Sequence, residues 1–407
     1  MNKRLLILSF CFSVFALQAQ LEPNNHQVDF ELGQGLNFRF QENAYQFKIS
    51  GMMQPQALYE EVEGSEYDLF LNSRRTYLNF SGTAREEKLS FFMQMDFSDN
   101  SPLLDAWVAY HPWENWSIAL GQKQNVGNNR EMLIMENYLS FPDRSLLSRS
   151  LSNSGREMGV FLEAKLKAGN MLFVPQLSLT SGDGRNSFGT DSRDVDRGGV
   201  KYSGRLDFYP LGEFEGGSLR SIADVEHQSQ LRMVLGIAGS YNDGASGSVG
   251  ESHGDFTLYN AIGESQLPDY RQWFADLLMK YRGFSFLGEF GIASATSLEA
   301  LYLNQSLEDP LLATQIGEYL ALGSAYNLQL GYVTKGGYGL DLRYSAVQTE
   351  FELNNRVLLP SSTAYSIGLS KYLKGHSLKL QSIFSLLEPA NGTQQEMRIG
   401  LLAQLVF

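Results

Sequence analysis

The chain has 407 residues, a single cysteine, a formal charge of -13 and a slightly negative mean hydropathy. Such acidity argues against a nucleic-acid partner, and no stretch approaches the ~18 consecutive apolar residues of a membrane-spanning helix. With 26 Phe, 20 Tyr and 39 Gly against 11 Pro, the composition is aromatic-rich, Gly-rich and Pro-poor, and suits a strand-built wall with a wet inner face.

Residues 1–19 read as a secretory signal peptide. Lys3 and Arg4 precede an apolar run, and Ala19 offers a small residue at the cleavage point before Gln20. The run is about thirteen residues, short of the ~20 that a helix needs to cross a bilayer. Cys11 lies inside it and follows the bulky Phe10, which argues against lipidation. The mature chain is therefore expected to hold no disulfide, no thiolate nucleophile and no Cys-based metal site. Losing Lys3 and Arg4 takes the charge from -13 to -15. Residues 20–44 are expected to form an N-terminal periplasmic segment, and residues 45–407 a transmembrane barrel.

About sixteen segments then alternate with the period of two that marks a strand. In the first half they fall at 45–50, 75–80, 89–97, 104–110, 116–122, 157–165, 170–178 and 200–208. In the second half they fall at 233–241, 272–281, 284–292, 320–332, 338–348, 365–370, 377–384 and 397–407. Most have one apolar face, as with Leu340 and Leu342 against Asp341 and Arg343. The last is the clearest: Met397, Ile399, Leu401, Ala403, Leu405 and Phe407 oppose Arg398, Gly400, Leu402, Gln404 and Val406.

Apolar-out, polar-in segments in even number predict an all-β fold, a transmembrane antiparallel β-barrel of about 16 strands. Pairing the last strand with the one near Tyr45 to Ser50 would close the sheet and leave no edge. Short connections at 111–115, 167–169, 282–283 and 374–375 are expected as periplasmic turns. Long ones at 60–72, 123–156, 182–198, 243–271 and 294–318 are expected as extracellular loops. Tyr110, Trp113, Trp116, Tyr209, Tyr332, Tyr338 and Tyr372, near strand ends, are expected to form an aromatic girdle.

The connection 123–156 is rich in apolar residues, among them Met132, Leu133, Ile134, Leu139, Phe141, Leu146 and Leu147. It is expected to fold inward as a constriction loop; packing outside against a neighbouring subunit is the alternative. Folded inward, it brings Arg130, Arg144, Arg149 and Arg156 to the bore with Glu131, Glu136 and Asp143. By strand phase, Lys48, Arg75, Lys201, Arg205, Lys280, Arg343, Lys379 and Arg398 also point inward. So do Asp96, Asp105, Glu163, Asp207, Asp276, Glu289 and Asp341. The pore-lining and constriction candidates are Arg75, Asp96, Asp105, Arg130, Arg144, Arg149, Arg156, Lys201, Arg205, Arg343, Lys379 and Arg398. Mixed signs at such positions predict inter-strand ion pairs and weak selectivity, whereas selecting phosphate calls for a dense row of cations.

The runs RRTYLNFSG from Arg74, FFMQMDFSDNSPLLDAWVAY from Phe91, ALGQ from Ala119 and MENYLSFPDRSLLSRSLSNSGREMGV from Met135 carry a family resemblance. With GLNFRF from Gly35, they resemble the phosphate-selective porin O and P family, most specifically over residues 35–166. The resemblance implies a trimer of sixteen-stranded barrels, an inward third loop and passage of small anionic solutes. It places the protein in the outer membrane of a Gram-negative bacterium, in contact with its lipid. Resemblance to such barrels also implies that Phe407 ends the signal read by barrel-insertion machinery. The chain departs from the family at KQNVGNN from Lys123, where a Pro-Phe-Gly turn is usual.

None of the histidines His26, His111, His227, His253 and His376 lies within a strand near a Ser nucleophile, as a barrel-embedded hydrolase would need. No catalytic residue, metal or cofactor is expected. The function expected is that of a porin passing small hydrophilic solutes and ions, including anions such as phosphate. The alternative is a structural or surface-binding barrel with a plugged lumen.

Overall fold

The computed structural model describes residues 27–41, 44–187, 198–251, 254–351, 356–390, 392 and 394–407. The predicted signal peptide 1–19, Cys11, His26, His253 and most of the predicted loop 182–198 lie outside the described residues.

Alternation builds the wall. A hairpin, β1 (Gln27–Glu31) and β2 (Gly35–Phe40), occupies the predicted lead segment and pairs onto β3 (Tyr45–Val62). The wall continues through β4 (Asp68–Ala84), β5 (Leu89–Asp96), β6 (Leu103–Tyr110), β7 (Trp116–Gln124) and β8 (Arg156–Ala164). A short β9 (Leu166–Ala168) extends β8, and both pair with β10 (Met171–Thr180). Then come β11 (Lys201–Tyr209), β12 (Arg232–Asn242), β13 (Asp269–Tyr281) and β14 (Phe284–Thr296). The wall ends with β15 (Gly323–Val333), β16 (Tyr338–Thr349), β17 (Ser362–Lys374), β18 (Leu378–Pro389) and β19 (Glu396–Val406). Neighbours are antiparallel throughout, and β19 returns to β3, closing a 16-strand barrel.

β3 serves two partners end to end. Tyr45–Ile49 pairs with β2, and Met52–Val62 pairs with β19. At the switch, Gly51 and Phe407 exchange backbone hydrogen bonds of 2.6 and 2.9 Å. Closure therefore lies half a strand beyond the predicted partner at Tyr45 to Ser50. The cause is an irregularity between Met53 and Pro55, which breaks the period of two and hides the continuation of the strand. For the same reason the predicted long loop 60–72 is mostly strand, with only residues 63–67 as its turn.

The outer face is a continuous apolar surface, with Leu328, Leu330, Leu340, Leu342, Ile367 and Leu401 all exposed. Exposed apolar area on this scale belongs against lipid. Tyr110, Trp113, Tyr332 and Tyr338 are exposed at the end of the barrel that carries the short turns, as a girdle requires. Tyr209 and Tyr372 depart from that expectation. They sit on inward positions of β11 and β17, are buried, and join interior apolar clusters. β15 begins at Gly323, so the first residues of the predicted strand 320–332 precede it, and Leu322 packs in the interior.

The closure is sterically defined. A Cβ on Gly51 would stand 2.7 Å from the Phe407 ring and 2.9 Å from the Tyr77 carbonyl oxygen. Gly51→Leu is expected to displace the chain end and sharply reduce the yield of the compact, heat-modifiable barrel on gels. A normal yield would show that the seam tolerates displacement of Phe407.

Candidate functional site

β7 and β8 are adjacent in the wall, yet residues 125–155 intervene between them. This stretch is folded, not a slack loop. A short helix, Arg130–Leu133, is followed by a 3-10 turn, Glu136–Tyr138, and a second helix, Leu146–Leu151. Ser145 caps the second helix, its side chain accepting from the Ser148 N–H. Glu131 ties the two helices together. One of its oxygens accepts from Ser145 N (2.8 Å), Ser145 Oγ (2.7 Å) and Ser148 Oγ (2.6 Å), and the other from Gln329 Nε2 (2.7 Å).

The segment meets the inner face of the wall in two ways. On one flank Leu146, Leu147 and Leu151 pack with Phe274, Ala325 and Val347 of the wall. On the other, residues 137–143 leave the 3-10 turn through a series of bends, and inward donors take carbonyls along them. Gln404 Nε2 donates to Asn137 O (3.1 Å), Lys379 Nζ to Leu139 O (3.0 Å) and Gln381 Nε2 to Ser140 O (2.8 Å). Arg75 donates to Pro142 O (2.9 Å) and Arg343 to Asp143 O (2.7 Å), with the Arg343 guanidinium 4.3 Å from the Phe141 ring centre. Buried carbonyls need such partners, and here β4, β16, β18 and β19 supply them.

Many of the inward charges pair. Arg130 bonds Asp276 (2.5 Å) and Asp207 (2.7 Å), and Arg205 bonds the same carboxylates (2.6 and 2.8 Å). This buried ring of two arginines and two aspartates is electrically neutral. Lys201 pairs with Glu157 at 2.8 Å, and Arg156 with Asp105 at 2.7 Å. Arg144 is spent within the segment, on Glu136 (2.8 Å) and on the Glu131 and Ile134 carbonyls. Burial pushes the Glu136 carboxyl up, but Arg144, Arg156 and Arg75 outweigh it and hold the group down at about 2. Arg398 pairs with Glu60 (2.6 Å) and Glu396, with Asp143 at 3.9 Å.

Four candidates differ from their neighbours. Asp96 is buried but serves the turn after β5, accepting from Thr76 N, Ser98 N and Ser98 Oγ. Arg149 is exposed, on the free side of the second helix. Arg75 and Lys379 form no ion pair among the described residues, and donate instead to carbonyls and, for Arg75, to Gln54 (3.1 Å).

Sequence reasoning missed the neutral donors Gln381 and Gln404, because an inward amide gives no more signal than any polar residue on that face. It also missed residues 210–231. A signal was available there: the gap between predicted strands 200–208 and 233–241 is long at an end where the other turns are short.

Two expectations follow. Arg130→Ala leaves Asp207 and Asp276 sharing one guanidinium, and should cost on the order of 3–5 kcal/mol, read as a lower unfolding midpoint. An unchanged midpoint would mean that the ring is reached by water. Glu251, in the loop after β12, accepts from Gly155 N (2.7 Å) and Asn153 N (3.1 Å). Burial raises its carboxyl from 4.5 to about 7, with Glu157 adding to the rise and Lys201 opposing it. A raised acid contributes stability that is full below its unfolded value and lost as pH climbs through the folded one. The melting temperature of the parent should therefore fall between pH 4.5 and about 7 relative to Glu251→Gln. A constant difference between the two across that range would contradict the assignment.

No curated protein matches the chain in sequence. Among solved structures, the fold is similar to that of OprB from Pseudomonas putida, with TM-score 0.53, 9% identity, and 89% of this chain and 94% of that one covered. It is similar to the outer membrane channel DcaP of Acinetobacter baumannii, with TM-score 0.51, 12% identity, and 90% and 99% covered. It is also similar to the trimer form of OmpT, an outer membrane protein of Vibrio cholerae, with TM-score 0.50, 8% identity, and 89% and 99% covered. At such identities the likeness is one of fold. Residues 47–219, from β3 past the end of β11, match the family model described as phosphate-selective porin O and P, the family that the motifs of the first half resemble.

Proposed function

We propose that the protein is an outer-membrane porin through which small hydrophilic solutes and ions diffuse, with residues 125–155 folded into the bore as its constriction. The observation that carries this reading is the span of the segment's contacts. From one stretch of chain, side chains and carbonyls reach inward groups on β4, β11, β13, β14, β15, β16, β18 and β19. Contacts with strands so far apart around the wall support a segment that lies across its interior.

Selectivity on this reading is weak. Arg130, Arg156, Lys201 and Arg205 are each answered by carboxylates, so they add little net field. Arg75 and Lys379 bond neutral carbonyls. Glu289 and Asp341 likewise join no ion pair among the described residues, but lie on β14 and β16. On the β4 side Arg75 therefore leaves a modest positive bias that favours anions, phosphate among them. The family supports a preference of that sign by its name alone.

A homotrimer is part of the reading, supported by the trimer form of OmpT. The wall itself offers a flank for it. β5 and β6 are short, so β4 has no neighbour beside Asp68–Ser73 on that edge among the described residues, and Leu69 and Leu71 stand exposed there. The outer wall meets membrane lipid, and Phe407 ends the segment presented to insertion machinery.

A second reading, a barrel with a plugged lumen, draws support from the full burial of inward groups such as Asn327, Lys201 and Ser345. Planar-bilayer recording separates the two. The purified protein is expected to give discrete conductance steps and a small reversal potential of anionic sign in a KCl gradient. That potential should vanish in the double variant Arg75→Gln, Lys379→Gln. Absence of current at any voltage would favour the plug, and a cation-selective potential would overturn the assigned bias.

A further inference from the structure

The inward positions of the wall are unequally covered. Lys201, Arg205, Asp276, Glu289, Asp341 and Arg343, on β11 to β16, are all buried. Lys48, Ser50, Asn79, Ser81, Phe92 and Trp107, on the turn-side halves of β3 to β6, are inward by the same alternation and remain part-exposed. A bore filled evenly by one loop would not divide this way.

The filling comes from both ends of the barrel. Residues 125–155 enter from the end of the long loops. Residues 210–231 join β11 to β12 at the opposite end, where the other connections between wall strands run only two to five residues. Phe214 and Ile222 of this stretch share one buried apolar cluster with Ile134 and Leu139 of the first segment and Leu278 and Leu287 of the wall. The Ile222 N–H donates to Tyr138 O at 3.3 Å, so the two intruding segments touch.

Residues 210–231 are seated, not loosely draped. Asp224 is 0% exposed and accepts from Gln228 N (3.0 Å) and from Gly283 N (2.7 Å) in the turn between β13 and β14. Lys280 Nζ donates to Ser221 Oγ (2.9 Å) and Ala223 O (3.2 Å). Arg282 N donates to Gln228 O at 3.0 Å. An anchored apolar tip under the first segment closes that side of the bore from below.

We propose that residues 210–231 are a second, fixed stopper that fills the β10–β18 side of the bore together with residues 125–155. Permeation is thereby confined to an eccentric crescent along the inner face of β3 to β6. The proposal rests on the channel reading above. The groups that a solute meets in the lower half of the barrel are then Lys48, hydroxyl and amide groups, and the rings of Phe92 and Trp107, which pack 5.9 Å apart. The ion-paired residues of β11 to β16 lie behind the filling and do not contact solute.

The chain's lone cysteine is Cys11, so single cysteines placed in the barrel report without background once the leader is removed. Asn79→Cys and Ser81→Cys are to be compared with Ser203→Cys and Ser240→Cys, using a charged methanethiosulfonate reagent. Labelling is read as a mass shift of the folded protein, and in parallel as a change of bilayer conductance. Labelling and a conductance drop are expected at 79 and 81, and neither at 203 and 240. Equal labelling at 203 or 240 would overturn the proposal. A parent without current would sink the channel reading, while the mass shifts would still decide where the open side lies. A variant with residues 213–229 replaced by a short turn should show increased conductance and labelling of an added Val234→Cys, whose position shares the buried cluster of Phe214 and Ile222. An unchanged value for both in a folded variant would contradict the stopper role, and if that variant fails to fold, the four single cysteines decide.

Discussion

Every backbone N–H and C=O in a wall that faces lipid must find its partner within the protein, and the rest of this structure depends on how the sheet meets that demand. The solution is the seam where β19 meets β3. β3, at 18 residues, is longer than either strand on that side, and hands its pairing from β2 to β19 at Gly51, so the chain end and the N-terminal hairpin share one strand. A side chain at position 51 would collide with the Phe407 ring, so glycine at this point is a condition of closure. Once the sheet is closed, the inward face of each strand is committed to an enclosed space, and its polar groups must be satisfied there.

That commitment explains the character of the interior. A wet bore tolerates unpaired charges, but a filled one does not, since an isolated ion in a low-dielectric site is strongly disfavoured. Where the first helix of residues 125–155 meets β11 and β13, cations and acids accordingly occur as a neutral set, Arg130 and Arg205 against Asp207 and Asp276, while Arg75 and Lys379 have their donors satisfied by carbonyls of the segment. This set contributes registry more than stability. Each arginine bridges carboxylates on two strands, which fixes the first helix of the segment against β11 and β13 in one position.

Much of this was legible in the sequence, and the reason is the period of two. Alternation depends only on which face meets lipid, so the phase of Arg205, Asp276, Arg343 and Arg398 could be read without any knowledge of contacts. Apolar residues in residues 123–156 likewise signalled a segment that must bury itself. What could not be read were the events that break the period. The irregularity near Pro55 hid half of β3, and the strand phase that turns Tyr209 and Tyr372 inward was masked by their type, which suits a girdle equally well. Partner choice was also illegible. Nothing local tells that Asp96 serves its own turn while Asp105 serves Arg156, since the first contact is two residues away and the second is set by the three-dimensional return of the chain.

The two flanks of residues 125–155 are held by different physics, and the difference has a direction around the wall. Toward β13 to β16 the contact is an apolar cluster around Leu147 and Leu151, which opens only by exposing apolar surface to water. Toward β4, β18 and β19 it is a row of side-chain donors on successive carbonyls of residues 137–143. Each such bond is exchanged for one to water at a net difference of about 1 kcal/mol. Water therefore weakens the second flank far more easily than the first, and the part-exposed inner face of β3 to β6 lies on that side. An opening that widens along β3 and β4 keeps the apolar anchor, the neutral ion-pair ring and the contact between Ile222 and Tyr138 intact. One that widens along β13 and β14 must break all three at once.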